Sequence, residues 1–185
     1  FNALSSADKA TQMIGEFLET RGSLILAHQT DMQRRIDRLN GTAPSMGNPV
    51  SMLSAYLPGI VEGGVLSMST SLAQIERLSG SEKQSRFDIW FEGTYGRFDS
   101  SATDGKFAVA SLGADYLINR NLLVGAFFQL DHLNQSPLAD GSFVRGTGWL
   151  AGPYATARLS EHLFIDVLAA AGTSQNSISP FGTFT

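Results

Sequence analysis

Phe107-Ala-Val-Ala-Ser-Leu-Gly-Ala-Asp-Tyr-Leu-Ile-Asn-Arg-Asn-Leu-Leu-Val-Gly-Ala-Phe-Phe-Gln-Leu-Asp131 is the stretch that decides the fold. Its apolar residues recur at every second position, the period of a strand whose side chains point alternately to opposite faces. Ala108, Ala110, Leu112, Ala114, Tyr116 and Ile118 share one face, while Ser111, Gly113 and Asp115 share the other. Asn119-Arg120-Asn121 is a tight connection of turn-forming residues. Beyond it Leu122, Val124, Ala126, Phe128 and Leu130 rebuild the apolar face against Gly125, Gln129 and Asp131. Two antiparallel strands with one apolar and one polar face are expected.

The same period extends in both directions. Upstream, Phe87, Ile89, Phe91, Gly93 and Tyr95 alternate with Asp88, Glu92 and Thr94, and Trp90 is the exception on the polar side. Turn-rich Asp99–Gly105 and polar Asn134–Ser142 are expected to be long loops. The run from Phe143 to Leu159 alternates poorly, and Pro153 fits a strand only at an irregularity. After Ser160-Glu161-His162, Leu163, Ile165, Val167, Ala169 and Ala171 oppose Phe164, Asp166, Leu168 and Gly172. About five strands fit, with a sixth begun at Ile178. Connections that run long, short, long, short match a transmembrane barrel, whose turns are short on one side and loops longer on the other. The strands reach the roughly 9–11 residues that cross a bilayer at a tilt. A soluble β-sandwich would show the same alternation.

Ahead of Ser85 the period is helical. Ala10, Met13, Ile14, Phe17, Leu18, Leu24, Ile25, Ile36 and Leu39 fall largely on one face. Ser5 and Asp8 have capping-box spacing, Thr30-Asp31 can start a second helix, and Asn40-Gly41 stops it. Arg34, Arg35 and Arg38 read as a solvated face matched to the helix dipole rather than an anion site. Residues 1–41 are thus a helical linker and 42–64, with Pro44, Pro49 and Pro58, a Pro/Gly-rich loop. Residues 65–80 are expected to form a mostly polar helix with a narrow stripe of Val65, Met68, Leu72, Ile75 and Leu78. Residues 86–185 carry the strands.

Composition narrows the class. The 185 residues are 43% hydrophobic and carry a net charge of −4, which excludes a disordered tail and gives no electrostatic reason for a nucleic-acid partner. The absence of cysteine removes disulfides, thiolate metal sites and cysteine nucleophiles. Nineteen glycines with twelve phenylalanines suit a barrel. The longest apolar run, Leu122–Phe128, falls far short of the about 20 residues of a spanning helix, so a membrane form must span by strands. The chain begins at Phe1 with no visible signal peptide, and reads as a fragment or processed product.

Catalytic, cofactor and metal signatures are not found. Gly146-x-Gly148-x-x-Ala151 has dinucleotide-fingerprint spacing but continues as strand through Tyr154. His28, His132 and His162 stand apart from one another and from carboxylates at ligand spacing. No Gly-x-Ser-x-Gly elbow accompanies the many serines, and no small-molecule substrate is indicated. Tyr95, Tyr116 and Tyr154 near strand ends suit an interfacial girdle or the edge of a soluble core equally.

Arg86-Phe-Asp-Ile-Trp-Phe-Glu-Gly-Thr-Tyr95 resembles the first barrel strand of autotransporter translocator domains. Ser111–Gly125 is similar to their second and third strands, and Gly146–Ala155 with Leu159–Phe164 to the fourth and its turn. Phe17-Leu-Glu-Thr-Arg-Gly22 and Ile36-Asp-Arg-Leu-Asn-Gly41 resemble the region ahead of the barrel in proteobacterial members. The resemblance implies a twelve-stranded, up-and-down antiparallel barrel in the Gram-negative outer membrane, incomplete here, with a helix threading its pore. It implies type V secretion, in which the chain's own N-terminal passenger reaches the cell surface. Outer-membrane lipid and the barrel-assembly machinery are the other partners it implies. Residues 65–80 are the candidate pore helix on that view. Glu92, Asp115, Gln129, Asp131 and Asp166, with Asp88, would face the lumen. Leu112, Tyr116, Ile118, Leu122, Val124, Phe128, Leu130, Ile165 and Val167 would face lipid. The rival expectation is a soluble β-sandwich binding or adhesion module packed on the helices.

Overall fold

The fold comes from a computed structural model that describes residues 6–28, 31–42, 60–80, 84–99, 103–137 and 142–179. Seven strands form one antiparallel sheet: β1 (Ile60–Ser71), β2 (Phe87–Asp99), β3 (Thr103–Asn119), β4 (Leu122–Pro137), β5 (Phe143–Arg158), β6 (Phe164–Leu168) and β7 (Ala171–Ser179). Each of the first five pairs with its sequence neighbour, and both β6 and β7 pair with β5. Ala151 opposes Ala171 and Tyr154 opposes Leu168, so β6 and β7 are one strand broken where Ala169-Ala170 faces Gly152-Pro153. Pro153 therefore sits at the expected irregularity. Ile178 begins no new strand; it pairs with Val144 inside β7. Among the described residues the sheet does not close, which fits an incomplete barrel.

Among the described residues three helices accompany the sheet: α1 (Ser6–Ala27), α2 (Met32–Asn40) and α3 (Leu72–Leu78). Asp31 caps α2, its side chain accepting from the Gln33 N–H at 2.8 Å. Gly41 ends α2 in the left-handed region at φ 70°, where a side chain would be strained. The expected break and stop are both present. The proposed Ser5 capping box lies outside the described residues.

Two sequence expectations are overturned. Residues 65–71 are strand, and helix occupies only Leu72–Leu78, where Ser71 caps it. Residues 60–64, assigned to the loop, also belong to β1, while 43–59 lie outside the described residues. The cause is local chemistry. Ser67, Ser69, Thr70 and Ser71 compete with the helical backbone through their hydroxyls, and Leu66 and Met68 alternate with serine at strand period. Pairing with β2, Leu66 opposite Tyr95 and Met68 opposite Gly93, satisfies that backbone. The second expectation concerns the loops: strands run into both of them, through Asp99 and 103–105 and through 134–137. Asp99 pairs with Asp104, and Asn134 pairs with both Lys106 and Arg145. Hydrophilicity there marks an end of the apolar band rather than an end of pairing.

Both long helices lie on one face of the sheet, and among the described residues no helix packs on the other, bare face. An upper cluster packs Phe17, Leu24 and Ala27 of α1 on Phe98, Phe107, Val109, Leu133 and Val144. A lower cluster packs Leu39 of α2 with Trp90, Leu117, Leu123, Phe127 and Tyr154. Trp90 is 1% exposed on this face, which resolves its exceptional place in the alternation. It needs the glycine opposite: Trp90 pairs with Gly113, and a Cβ there would lie 2.2 Å from the indole. Tyr154 likewise points inward at 3% exposure and belongs to no girdle.

Candidate functional site

The helix-bearing face carries a ladder of ion pairs between four arginines and four strands. α1 descends from the β4–β5 connection, where Ser142 meets Met13, and α2 ends beside the β5–β6 turn, where Asn40 meets Arg158. The helical segment thus runs along the strands from one end to the other. Each turn that faces the sheet brings either an apolar group or an arginine.

Arg21 follows Phe17 by one helical turn, so it falls inside the apolar stripe of α1. Its Nε donates to Asp131 Oδ2 at 2.7 Å, and Nη1 donates to Asn176 at 2.9 Å. Gly148 makes the space, since a Cβ there would come within 2.0 Å of Arg21 Nη2. Glycine at 146 and 148 therefore seats a helix, and the dinucleotide-like spacing has this steric origin. Lower down, Arg34 Nη1 donates to Asp115 Oδ2 at 2.7 Å and to Asp88 Oδ2 at 3.1 Å. The guanidinium lies 4.8 Å above the Trp90 ring. Tyr154 ties the group together: its hydroxyl accepts from Trp90 Nε1 at 2.9 Å and donates to Asp115 at 3.2 Å.

One turn on, Arg38 Nε approaches Asp115 Oδ1 at 2.8 Å, an ion pair whose N–H is not aligned as a hydrogen bond. Its Nη2 donates to the carbonyl of Arg86 at 3.2 Å. Arg35 Nη2 donates to Asp166 Oδ2 at 2.7 Å while the guanidinium stacks 4.8 Å over Tyr154. Asp88 reaches further, accepting from the Ala73 N–H at the start of α3 at 2.8 Å. All four guanidiniums are nearly sealed from solvent, and so are Asp88 and Asp115. Burying such charges costs several kcal/mol per ion, and only pairing with good geometry offsets it. The pairs therefore fix one position of the helices against the sheet.

The arginine cluster was expected to be solvated, and that expectation is corrected. Sequence reasoning missed Arg21, Arg34, Arg35 and Arg38 because their partners lie far away in the chain. Of the residues expected on the polar face, Asp88, Asp115, Asp131 and Asp166 receive arginines. Glu92 accepts the Asp31 backbone N–H at the junction of α1 and α2. Gln129 accepts from Ser111 at 3.3 Å. All six, Asp88 included, stand on the helix-bearing face. Leu112, Tyr116, Ile118, Leu122, Val124, Phe128, Leu130, Ile165 and Val167 all stand on the bare face. Leu112 is 53% exposed there and Val167 61%.

The stripe assigned to a pore helix is dispersed. Val65 packs on the upper cluster, Met68 is exposed on the bare face, and Leu72, Ile75 and Leu78 are exposed on α3. The three histidines remain apart; His28 bonds the Leu24 carbonyl and His132 meets Thr147. Among the described residues no group of acids and histidines is placed to hold a metal ion. The arrangement binds a helix to a sheet by charge.

A family model described as Autotransporter beta-domain matches residues 89–185, just over half of the chain. No curated protein and no solved structure matches.

Proposed function

The chain belongs to the autotransporter β-domain family, and we propose on that premise that it is part of an outer-membrane translocator whose polar lumen holds its own N-terminal helical segment. On this reading α1 and α2, rather than residues 65–80, thread the pore. The observation that carries it is the pairing of Arg21, Arg34, Arg35 and Arg38 with one carboxylate from each of four strands, β2, β3, β4 and β6. A helix that meets so many strands by buried charge suits an enclosed, polar channel. The bare face fits lipid, because a sheet in a bilayer turns its apolar residues outward and closes its edges by further pairing.

The direction is also consistent with export. The N-terminal half of α1 lies at the β4–β5 end, where Met13 meets Ser142, away from the short turn Arg120-Asn121. Placing short turns in the periplasm puts that end at the cell surface. The passenger would therefore emerge outside while α2 is retained near the inner rim. The barrel works by spanning and holding, with no chemistry at a side chain, and its partners are outer-membrane lipid, the barrel-assembly machinery and the passenger. The soluble sandwich has less support, since the described strands form one sheet whose apolar face no other described element covers.

The test is fractionation of cells expressing the full natural protein that carries this sequence. The reading expects a heat-modifiable band in the outer-membrane fraction, with residues ahead of α1 open to protease added to intact cells. A protein that stays in buffer without detergent and migrates alike before and after boiling contradicts it.

A further inference from the structure

Basic side chains in the strands are few and not scattered. Among the described strand residues they are Arg97, Lys106, Arg145 and Arg158. Arg158 lies on the helix-bearing face, bonded to Asn40. The other three are exposed on the bare face, and all three fall in one transverse row. Arg97 is directly opposite Lys106, Lys106 opposite Asn134, Asn134 opposite Arg145, and Arg145 opposite Ser177. Like charges directly opposite across an antiparallel pair destabilise it. The row keeps the Arg97–Lys106 pair nonetheless, and among the described residues none of the three cations is ion-paired.

The row sits at a boundary. On β2 the bare face reads Phe87, Ile89, Phe91, Gly93, Tyr95 and then Arg97. From Phe87 to Tyr95 is about 27 Å along the strand at ~3.3 Å per residue, or roughly 20 Å of height at a barrel's tilt, close to the ~25 Å apolar band of such proteins. The cations begin one step past that band, where the strands continue beyond what crossing requires. Asp99 and Asp104, paired with each other, lie one step farther out and do not reach ion-pair distance of the basic row. Arg145 is further steadied by Phe143, whose ring lies 6.0 Å from its guanidinium.

We propose that Arg97, Lys106 and Arg145, with Asn134 and Ser177 as neutral donors between them, form a binding row for phosphate-bearing lipid headgroups in the outward-facing leaflet. This rests on the translocator reading above. A phosphate beside Arg97 and Lys106 removes their mutual repulsion, and the height of the row matches the headgroup layer of a bilayer whose tails cover Leu130, Trp149 and Phe128. The lipid held there would be a phosphorylated one, with its acyl chains on the bare face directly below.

The test uses the full natural protein, purified in neutral detergent, and its Arg97→Gln/Lys106→Gln/Arg145→Gln variant. Each is mixed with lipid A or with its dephosphorylated counterpart, and retained lipid is counted by native mass spectrometry. At roughly a kcal/mol per cation near a charged surface, the three together give on the order of a hundredfold preference for the phosphorylated lipid. The wild type is expected to show that preference and the triple variant to lose it while remaining heat-modifiable. An Arg120→Gln control at the opposite end should keep it. Equal preference in wild type and triple variant overturns the proposal, as does complete displacement of the lipid by millimolar inorganic phosphate. Failure of the wild type to run as a heat-modifiable barrel would instead sink the translocator reading itself.

Discussion

The Arg34 guanidinium of α2 and the Asp115 carboxylate of β3 meet at 2.7 Å although 81 residues separate them. Neither is open to water, and Asp88, Trp90, Tyr154 and Arg38 enclose the pair. Its role is positional. A buried pair of this kind adds little net stability over apolar replacements, but removing one member strands the other charge.

Arg34→Ala is therefore expected to cost about 3–5 kcal/mol, read as a lower midpoint for the loss of the heat-modifiable band in the full natural protein. The Arg34→Gln/Asp115→Asn double variant should lose clearly less than the sum of the two single variants. Additive losses would mean that the two side chains are not coupled.

The bare face should respond to charge according to height, with Phe128 of β4 in the apolar band and Ser177 of β7 in the basic row. Phe128→Arg places a cation in the middle of the apolar band, where the cost is about 2–4 kcal/mol, and outer-membrane assembly should fall. Ser177→Arg, on the same face but in the basic row, should assemble normally. Equal outcomes would show that the bare face does not meet lipid.

Gly113 gives Trp90 its place. Gly113→Val should slow assembly and destabilise the folded barrel by about 1–3 kcal/mol through overpacking. Trp90→Ala in the same chain should recover part of that loss. If Gly113→Val behaves as wild type in the boiling assay, the indole is not held as described.

Much of this architecture was legible in the sequence because it is written at short range. Leu112, Tyr116 and Ile118 against Asp115, and Leu122, Val124 and Phe128 against Gln129, state two faces within a few residues. Leu66 and Met68 against Ser67 and Ser69 state the same period, but Val65, Met68, Leu72 and Ile75 also fit three- and four-residue steps, so a helix was expected where a strand begins. The ion-pair ladder was not legible. Arg34 and Asp88 are 54 residues apart, Arg21 and Asp131 110, and Arg35 and Asp166 131. Local pattern shows only three arginines on one short helix, an arrangement that is usually solvated. The available hint was Arg21 in the middle of an apolar stripe, together with a polar strand face whose charged residues, apart from Arg158, are all acidic.

The central claim is that α1 and α2 lie in the lumen along β4 and β5. These 185 residues contain no cysteine, so within them the introduced thiols are the only ones to report. Phe17→Cys and Gly146→Cys, at the point where the Phe17 ring fills the space above Gly146, should be joined by a short bifunctional thiol reagent in the assembled full protein. The account predicts efficient cross-linking of that pair. It predicts none when Phe17→Cys is combined with Leu112→Cys on the bare face. Absence of the first cross-link in a correctly assembled, heat-modifiable barrel would contradict it.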